Sequence, residues 1–230
     1  MVLRIVKTVW PVMLTYVAVG APCGMIMAQT GMEPWMVFAL STTFVTGSGQ
    51  FMICNLWLAG VPAASIVASV AAISSRFALY SASLAPHLAG ASKRQTLAVT
   101  ATLTEEAYGI SLAKLVESDD WGPKEAFALN AILIATWGVA CTVGAVAGAA
   151  VDVPTAIAGF VCTSLFICLL FSQRLSRGNV VAAVSGAVSV AMFKFLGLTN
   201  IAVPASVVVG VVIALVCDAV FDGRGARDAR

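Results

Sequence analysis

Arg76, Tyr80, Glu105 and Glu106 lie inside two apolar stretches, residues 62–86 and 94–116, that are otherwise long enough to cross a bilayer. A charge at the centre of a spanning helix costs at least about 2–3 kcal/mol, so such groups face a protein interior or a wet path and mark routes for substrates or ions. At about 1.5 Å of rise per residue, Arg76 and the two glutamates fall near a common depth, where they can pair. Arg76 and Tyr80 are four residues apart and project from one helical face, with Ser69 and Ser83 near the same stripe. A guanidinium fork beside a phenol suits a bidentate carboxylate. Glu105 and Glu106 diverge by about 100° around their helix, on a segment where Thr96, Thr100, Thr104 and Tyr108 recur every four residues. One arginine cannot neutralise both acids. The second is suited either to carry a proton or to reach water in a cavity. The pair between Arg76 and a glutamate also has a plainer reading, a lock between two helices.

The elements that must hold these groups are membrane helices. Of the 230 residues, 60% are hydrophobic and only 10% charged, with a mean hydropathy of +0.97, whereas soluble domains carry about a quarter charged residues. Apolar runs fall at 5–28, 35–58, 62–86, 94–116, 125–150, 155–172, 179–197 and 201–221. Most reach the ~20 residues needed to span. In lipid only helices or closed barrels satisfy their backbone polar groups, and barrel strands show short alternating segments that are absent here. Connections such as Gly60–Pro62, Val151–Pro154 and Ser172–Gly178 leave no room for a soluble module. The expectation is an all-α polytopic membrane protein of about seven to eight membrane helices, some broken or re-entrant near the midplane, forming a single integral membrane transport domain over 1–230. The first run is too long for a cleavable leader, and Pro22 before Cys23 argues against a lipoprotein cleavage site.

Other chemistries lack their residues. The six cysteines, Cys23, Cys54, Cys141, Cys162, Cys168 and Cys217, all fall within apolar segments with no CxxC pair, and His87 is the one histidine in the chain. They read as small core residues rather than as disulfides or metal ligands. No metal and no cofactor is expected, and no enzyme: a nucleophile–base pair or an acidic metal-binding run is missing. The net charge of +2 has no basic stripe, so nucleic acid is excluded as a partner. A nucleotide-driven pump is excluded by the lack of a phosphate-binding G-x-x-x-x-G-K-[ST] loop.

Charge distribution speaks to topology. Arg4 and Lys7 precede the first run, Lys93 and Arg94 follow the third, Arg174 and Arg177 follow the sixth, and Arg224, Arg227 and Arg230 follow the eighth. All four clusters are expected on the cytoplasmic side. Three runs separate the first cluster from the second and three more separate the second from the third, yet a return to one side needs an even number of crossings. One run in each half must therefore not cross simply, and the loop Lys114–Glu125 would fall outside. Candidates are the second run, with Thr46-Gly47-Ser48-Gly49-Gln50, and the fifth, with Gly138, Gly144 and Gly148. Paired breaks are a mark of repeat-built transporters. For Gly144-x-x-x-Gly148 close helix packing is the stronger reading; for Gly47 to Gln50 an interrupted helix is. Gly20-Ala21-Pro22 is expected to kink or unwind the first helix, with or without a ligand at the freed backbone.

These residues resemble the AzlC-type large subunits of branched-chain amino acid exporters. The similarity rests on Gly20-x-Pro22-x-Gly24, on Val45-Thr46-Gly47-Ser48-Gly49-Gln50-Phe51, on Arg76-x-x-x-Tyr80-x-x-Ser83-Leu84, on Thr104-Glu105-Glu106 and on the late stretch from Gly159-Phe160 to Leu169-Leu170. Ser74, Phe77, Gly49 and Glu105 depart from the family's usual residues. The resemblance implies a multi-pass protein of the bacterial cytoplasmic (inner) membrane that exports Leu, Ile, Val or Met, driven by an ion gradient, with protons the expected coupling ion, and that works with a small hydrophobic AzlD-type subunit. On this reading Gly20, Pro22, Gly24, Gly47, Ser48, Gly49, Gln50, Arg76 and Tyr80 bind substrate, while Glu105 and Glu106 couple protons. The alternative is a membrane scaffold, or a transporter of another small amphipathic solute, in which Arg76 and Glu105 or Glu106 form a structural ion pair.

Overall fold

The computed structural model describes residues 1–88, 90–117, 120–150, 177–198 and 205–217, with Phe160, Ser164, Ile167 and Ala202 as isolated positions. Apart from those isolated positions the sixth apolar run lies outside the described residues, as do Cys162, Cys168, Arg174, Asp119, Asp218 and the C-terminal arginines. Every regular element among the described residues is helical. Among the described residues four helices are long and apolar enough to cross a membrane, Val2–Gln29, Ala63–Leu88, Pro123–Gly148 and Gly178–Phe195, with Ala205–Cys217 a shorter apolar one. The described residues thus do not reach the expected seven to eight spans. The reason is partly physical: two of the apolar runs are each divided into a pair of half-length helices.

In chain order the helices are α1 (Val2–Gln29), α2 (Pro34–Thr43), α3 (Gly47–Leu58), α4 (Ala63–Ser74) and α5 (Arg76–Leu84). A 3-10 turn over Ala85–Leu88 follows, and then α6 (Lys93–Ala101), α7 (Glu105–Glu117), α8 (Pro123–Ala150) and α9 (Arg177–Phe195). The last described helix is α10 (Ala205–Cys217). Packing divides the chain into two compact units, Met1–Leu58 with Ser74–Cys162, and Ala59–Ile73 with Thr163–Arg230.

The first unit is built on a seam between α1 and α8. A Cβ on Gly24 would run into the Cys141 carbonyl and one on Gly144 into the Ala21 carbonyl, while one on Gly20 would lie 2.9 Å from Ala140 Cβ. Only glycine lets two backbones approach this closely. The contacts ascend together along both helices, Gly20 with Ala140 and Met25 with Gly148, so α1 and α8 run parallel. Gly144-x-x-x-Gly148 is therefore a packing face and α8 is continuous, which removes the fifth run as the site of a break. Helix α1 also continues through Pro11 and Pro22 without unwinding. Packing of Gly20 and Gly24 on α8 holds the turns around Pro22 in place and offsets the lost N–H. The thiols of Cys23, Cys54 and Cys141 are buried.

The true breaks lie at Phe44–Thr46 and at Thr102–Thr104, and they share a construction. Phe44 leaves the helical region at φ −101°, ψ 89°, and Thr46 Oγ1 accepts from Gly49 N at 3.2 Å to start α3. Thr104 Oγ1 accepts from Ala107 N at 3.2 Å to start α7 in the same way. Each is an N-cap satisfying a donor the helix leaves orphaned. Carbonyls freed before each break find a side-chain amide: Gln50 Nε2 donates to Phe44 O at 2.8 Å, and Asn130 Nδ2 of α8 donates to Val99 O at 2.9 Å and to Thr102 Oγ1 at 3.0 Å. The second run is thus interrupted as expected, but one turn earlier: Gly47 to Gln50 form the first turn of α3 rather than the gap.

The second break turns the chain back. Gln95, in the first turn of α6, and Leu115, in the last turn of α7, line one cavity of about 470 Å³ together with His87, Trp121 and Glu125. The pair α6–α7 therefore leaves by the end it entered. Arg4 belongs to the same end, since its guanidinium donates to Asp120 O at 2.8 Å and lies 5.6 Å from the Trp121 ring centroid. The expectation that the loop Lys114–Glu125 sits opposite Lys93 is corrected. Its source was the missing glycine at Thr102–Thr104, which hid the turn.

Candidate functional site

Three helix starts meet in the first unit. Arg76 opens α5, Ser48 lies in the first turn of α3 and Glu105 opens α7. Arg76 Nη2 donates to Ser48 Oγ at 2.7 Å and forms an ion pair with Glu105 Oε1. Ser48 Oγ also lies 3.4 Å from that carboxylate oxygen. The two charged side chains are 28% and 30% exposed, so the pair is neither sealed nor fully solvated. Arg76 Nε is buried and has no acceptor. One nitrogen of the fork thus carries the whole interaction, whereas a planar guanidinium can offer a carboxylate two parallel donors. Helix N-termini favour negative charge, and Glu105 is the negative group at this junction.

Glu106 turns away from Arg76. Tyr16 of α1 donates its hydroxyl to Glu106 Oε2 at 2.6 Å and lies 3.0 Å from Thr104 Oγ1. Tyr16 is buried and its ring packs edge-on against Trp137 at 5.3 Å, while Glu106 itself is exposed. The divergence around α7 has thus separated the two acids by partner: a cation for Glu105, a neutral phenol for Glu106. Tyr80, one turn beyond Arg76, stacks on Tyr108 at 4.6 Å and 14°, and Tyr108 shares a 3.0 Å hydrogen bond with Ser83. Phe77 lies edge-on to Tyr80. These rings and hydroxyls wall the side of the junction that faces along α5 and α7.

Gln50 is fully buried behind the first break. Its Oε1 accepts from Trp137 Nε1 at 3.0 Å and from Ser41 Oγ at 3.3 Å, with Cys23 Sγ at 3.9 Å. Gly47 lies under Trp137, whose ring would meet an added Cβ at 2.9 Å, and Gly49 lies under Phe44.

Of the residues singled out from sequence, Ser48, Arg76 and Glu105 are in contact, Glu106 adjoins them and Tyr80 flanks them. Gln50, Gly47 and Gly49 shape the first break, and Gly20 and Gly24 belong to the α1–α8 seam on either side of Pro22. Ser69 bonds its own helix at Ser65 O, 2.7 Å away. Sequence reasoning did not single out Tyr16, Trp137 or Asn130 for this site. Tyr16 had a usable signal, for it continues the buried stripe Tyr16, Gly20, Gly24 at a spacing of four. Asn130 had one too, a lone amide in an apolar helix.

A family model described as AzlC protein matches residues 11–151. The chain belongs to the AzlC family. The matched stretch runs from before Tyr16 to beyond Trp137 and so contains every residue of the junction. The Inner membrane protein YgaZ of Escherichia coli (strain K12) is 25% identical over 210 residues, covering 88% of this chain and 83% of that protein. No solved structure matches. AzlC proteins are transport-related membrane proteins, and this AzlC protein is a membrane protein whose described residues are all-helical, with four helices among them fit to span.

Proposed function

We propose that this AzlC protein is the large subunit of a proton-coupled secondary transporter that exports branched-chain amino acids across the bacterial cytoplasmic membrane, together with a small AzlD-type subunit. The observation that carries the reading is Arg76, a cation held by one nitrogen between the starts of two interrupted helices, with Nε buried and lacking an acceptor. Interrupted helices facing a midplane site are how transporters present backbone dipoles and side chains to a solute. Glu106, held by Tyr16 and not by a cation, is the group assigned to the coupling proton.

Orientation follows from charge. Arg4, Lys7, Lys93, Arg94, Lys114 and Lys124 all belong to the end of the first unit that carries the cavity, and Glu33 stands at the other end. That bias supports a cytoplasmic location for the cavity end. Single cysteines at Lys93 and Lys124 are expected to label together from the cytoplasmic side of sealed vesicles; labelling of both from the outer side would reverse the orientation, and labelling from opposite sides would overturn the α6–α7 return.

The function is tested with the co-expressed, co-purified complex in liposomes loaded with labelled leucine, isoleucine, valine or methionine. Efflux is expected to accelerate when the outer medium is made acidic. Absence of flux for all four cargoes sinks the export reading.

A further inference from the structure

We propose that the substrate inserts into the Arg76–Glu105 ion pair, its carboxylate taking Arg76 and its ammonium taking Glu105, so that the site selects zwitterions over molecules carrying a single charge. The inference deepens the export reading and rests on it for the location of the site. Three observations lead to it. Arg76 and Glu105 are paired through one guanidinium nitrogen, and Arg76 Nε is buried without an acceptor, so a carboxylate spanning Nη2 and Nε would satisfy a donor that Glu105 leaves idle. Both side chains are about 70% covered, being 28% and 30% exposed, so either charge left alone would be poorly solvated. Around them, Ser48, Tyr80 and Tyr108 supply hydroxyls and ring faces but no further charge, and Glu106 is engaged by Tyr16.

The charge count gives the selectivity. In the resting pair one cation faces one anion. A zwitterion entering between them replaces one ion pair by two, and every charge keeps a counter-charge. A carboxylate without an amine would capture Arg76 and strand Glu105, and an amine without a carboxylate would strand Arg76. Stranding one partner of a substantially buried pair is far costlier than exchanging partners. Single-ion analogues are therefore expected to bind at least about a hundredfold more weakly than the matching amino acid, since each tenfold step requires only about 1.4 kcal/mol. Apolar side chains of any length would be read elsewhere; the junction reads the head group.

The groups facing the pair from each neighbouring element are Ser48 of α3, Tyr80 of α5, and Glu106 and Tyr108 of α7, with Tyr16 of α1 behind Glu106. Glu106 is the one of these that would add a second negative charge beside the ammonium. It keeps its own partner and leaves Glu105 to close the new pair.

The test uses the purified complex and three isosteric ligands: leucine, 4-methylpentanoate, which lacks the amine, and isoamylamine, which lacks the carboxylate. Binding is measured by displacement of labelled leucine and by ligand-induced thermal stabilisation. Wild-type protein is expected to prefer leucine by at least about a hundredfold over either analogue. Glu105→Gln removes the acid but leaves Arg76, so 4-methylpentanoate then pairs with Arg76 and strands no charge, whereas leucine leaves its ammonium without a counter-charge. Its affinity is expected to rise at least tenfold while that of leucine falls, inverting or abolishing the preference. Glu105→Asp keeps the charge and should keep the zwitterion preference, which separates the effect from misfolding. An unchanged ratio of leucine to 4-methylpentanoate in Glu105→Gln overturns the insertion while leaving export intact. Wild-type protein that binds neither leucine nor any other neutral amino acid overturns the insertion and the export reading together. An equal response to leucine and both analogues overturns the insertion alone.

Discussion

The two helix breaks are made by the same means and end with opposite character. Each stops a helix at a threonine-rich turn, restarts it under a threonine cap three residues before the bonded N–H, and gives a stranded carbonyl to a side-chain amide. The first break is closed: Gln50 is fully buried and gathers Phe44 O, Trp137, Ser41 and Cys23 into one neutral knot. The second is open and charged, carrying Glu105 and Glu106 on the first turn of α7, the one partly buried and the other exposed. The comparison shows how an interruption at membrane depth can serve as framework in one place and as chemistry in another. What differs is whether the restarting turn carries an amide or an acid, since backbone satisfaction is solved equally at both. Ser48 links the two, lending the neutral break a single hydroxyl at the charged junction.

The largest effect should come from removing the neutral knot. Gln50→Leu strips Phe44 O of its donor and Trp137 Nε1 of its acceptor at a site with no access to water, and each orphaned group costs about 1–3 kcal/mol. A loss of about 2–6 kcal/mol is expected, seen as a sharply lower unfolding midpoint in detergent or as failure to accumulate. Asn130→Leu strands Val99 O and one face of the Thr102 hydroxyl, yet it also removes Asn130 Oδ1, which is buried without a partner. Its cost should be the smaller, about 1–3 kcal/mol. Equal destabilisation by the two changes would mean that the first break is no more closed than the second.

The charged break is sharpened by dividing its acids. Glu106→Gln is expected to leave the protein folded and exchanging amino acid, but with efflux no longer responsive to a pH gradient, because the Tyr16 hydroxyl can bond an amide oxygen as it bonds the carboxylate. Full pH-driven efflux by this variant would remove Glu106 from coupling. Arg76→Ala should be worse than Arg76→Lys. The first leaves Glu105 without a counter-charge, a loss of about 3–5 kcal/mol for a well-buried pair and less here because the side chains are 28% and 30% exposed. The second keeps charge and fold but loses the planar fork, and it should lower carboxylate recognition while the unfolding midpoint stays near wild type.

Much of this arrangement was legible in the sequence because membrane chemistry makes polar residues conspicuous. Arg76, Glu105 and Glu106 stand out as charges in apolar runs, and the AzlC resemblance follows their order and spacing. Small residues at a spacing of four marked the α1–α8 seam. The second break was illegible for a physical reason. A threonine cap and an amide supplied by Asn130, 28 positions from Thr102, need no glycine or proline to end a helix, so the signal lay in tertiary structure and not in local composition. The same holds for Tyr16, whose role depends on α1 passing the start of α7, 90 residues away in sequence from Glu106. At Pro22 the missing N–H leaves unwinding open in the sequence, yet α1 stays helical there. Close packing of the two helices offsets the lost N–H.

The smallest expected effects are also the most discriminating, because the two caps are chemically alike and differ only in what lies behind them. Thr46→Val and Thr104→Val each keep the shape of the side chain and remove the oxygen that accepts the N–H three residues on, for a cost of about 0.5–2 kcal/mol apiece. Thr104 Oγ1 additionally lies 3.0 Å from the Tyr16 hydroxyl, whereas the Thr46 hydroxyl bonds within its own break, to Ser48 Oγ and Gly49 N. Paired with Tyr16→Phe in a double-mutant cycle, Thr104→Val should therefore show a coupling energy above about 0.5 kcal/mol, and Thr46→Val should be additive within about 0.3–0.5 kcal/mol. The readout is the unfolding midpoint of the complex, with the pH midpoint of efflux as a second axis. Only the changes that touch Tyr16 or Thr104 should move that second axis, since they alter how the Glu106 carboxylate is held. Equal coupling of both threonines to Tyr16 would show that the neutral break reaches the proton-bearing acid as directly as the charged one does, and the division between framework and chemistry would fail.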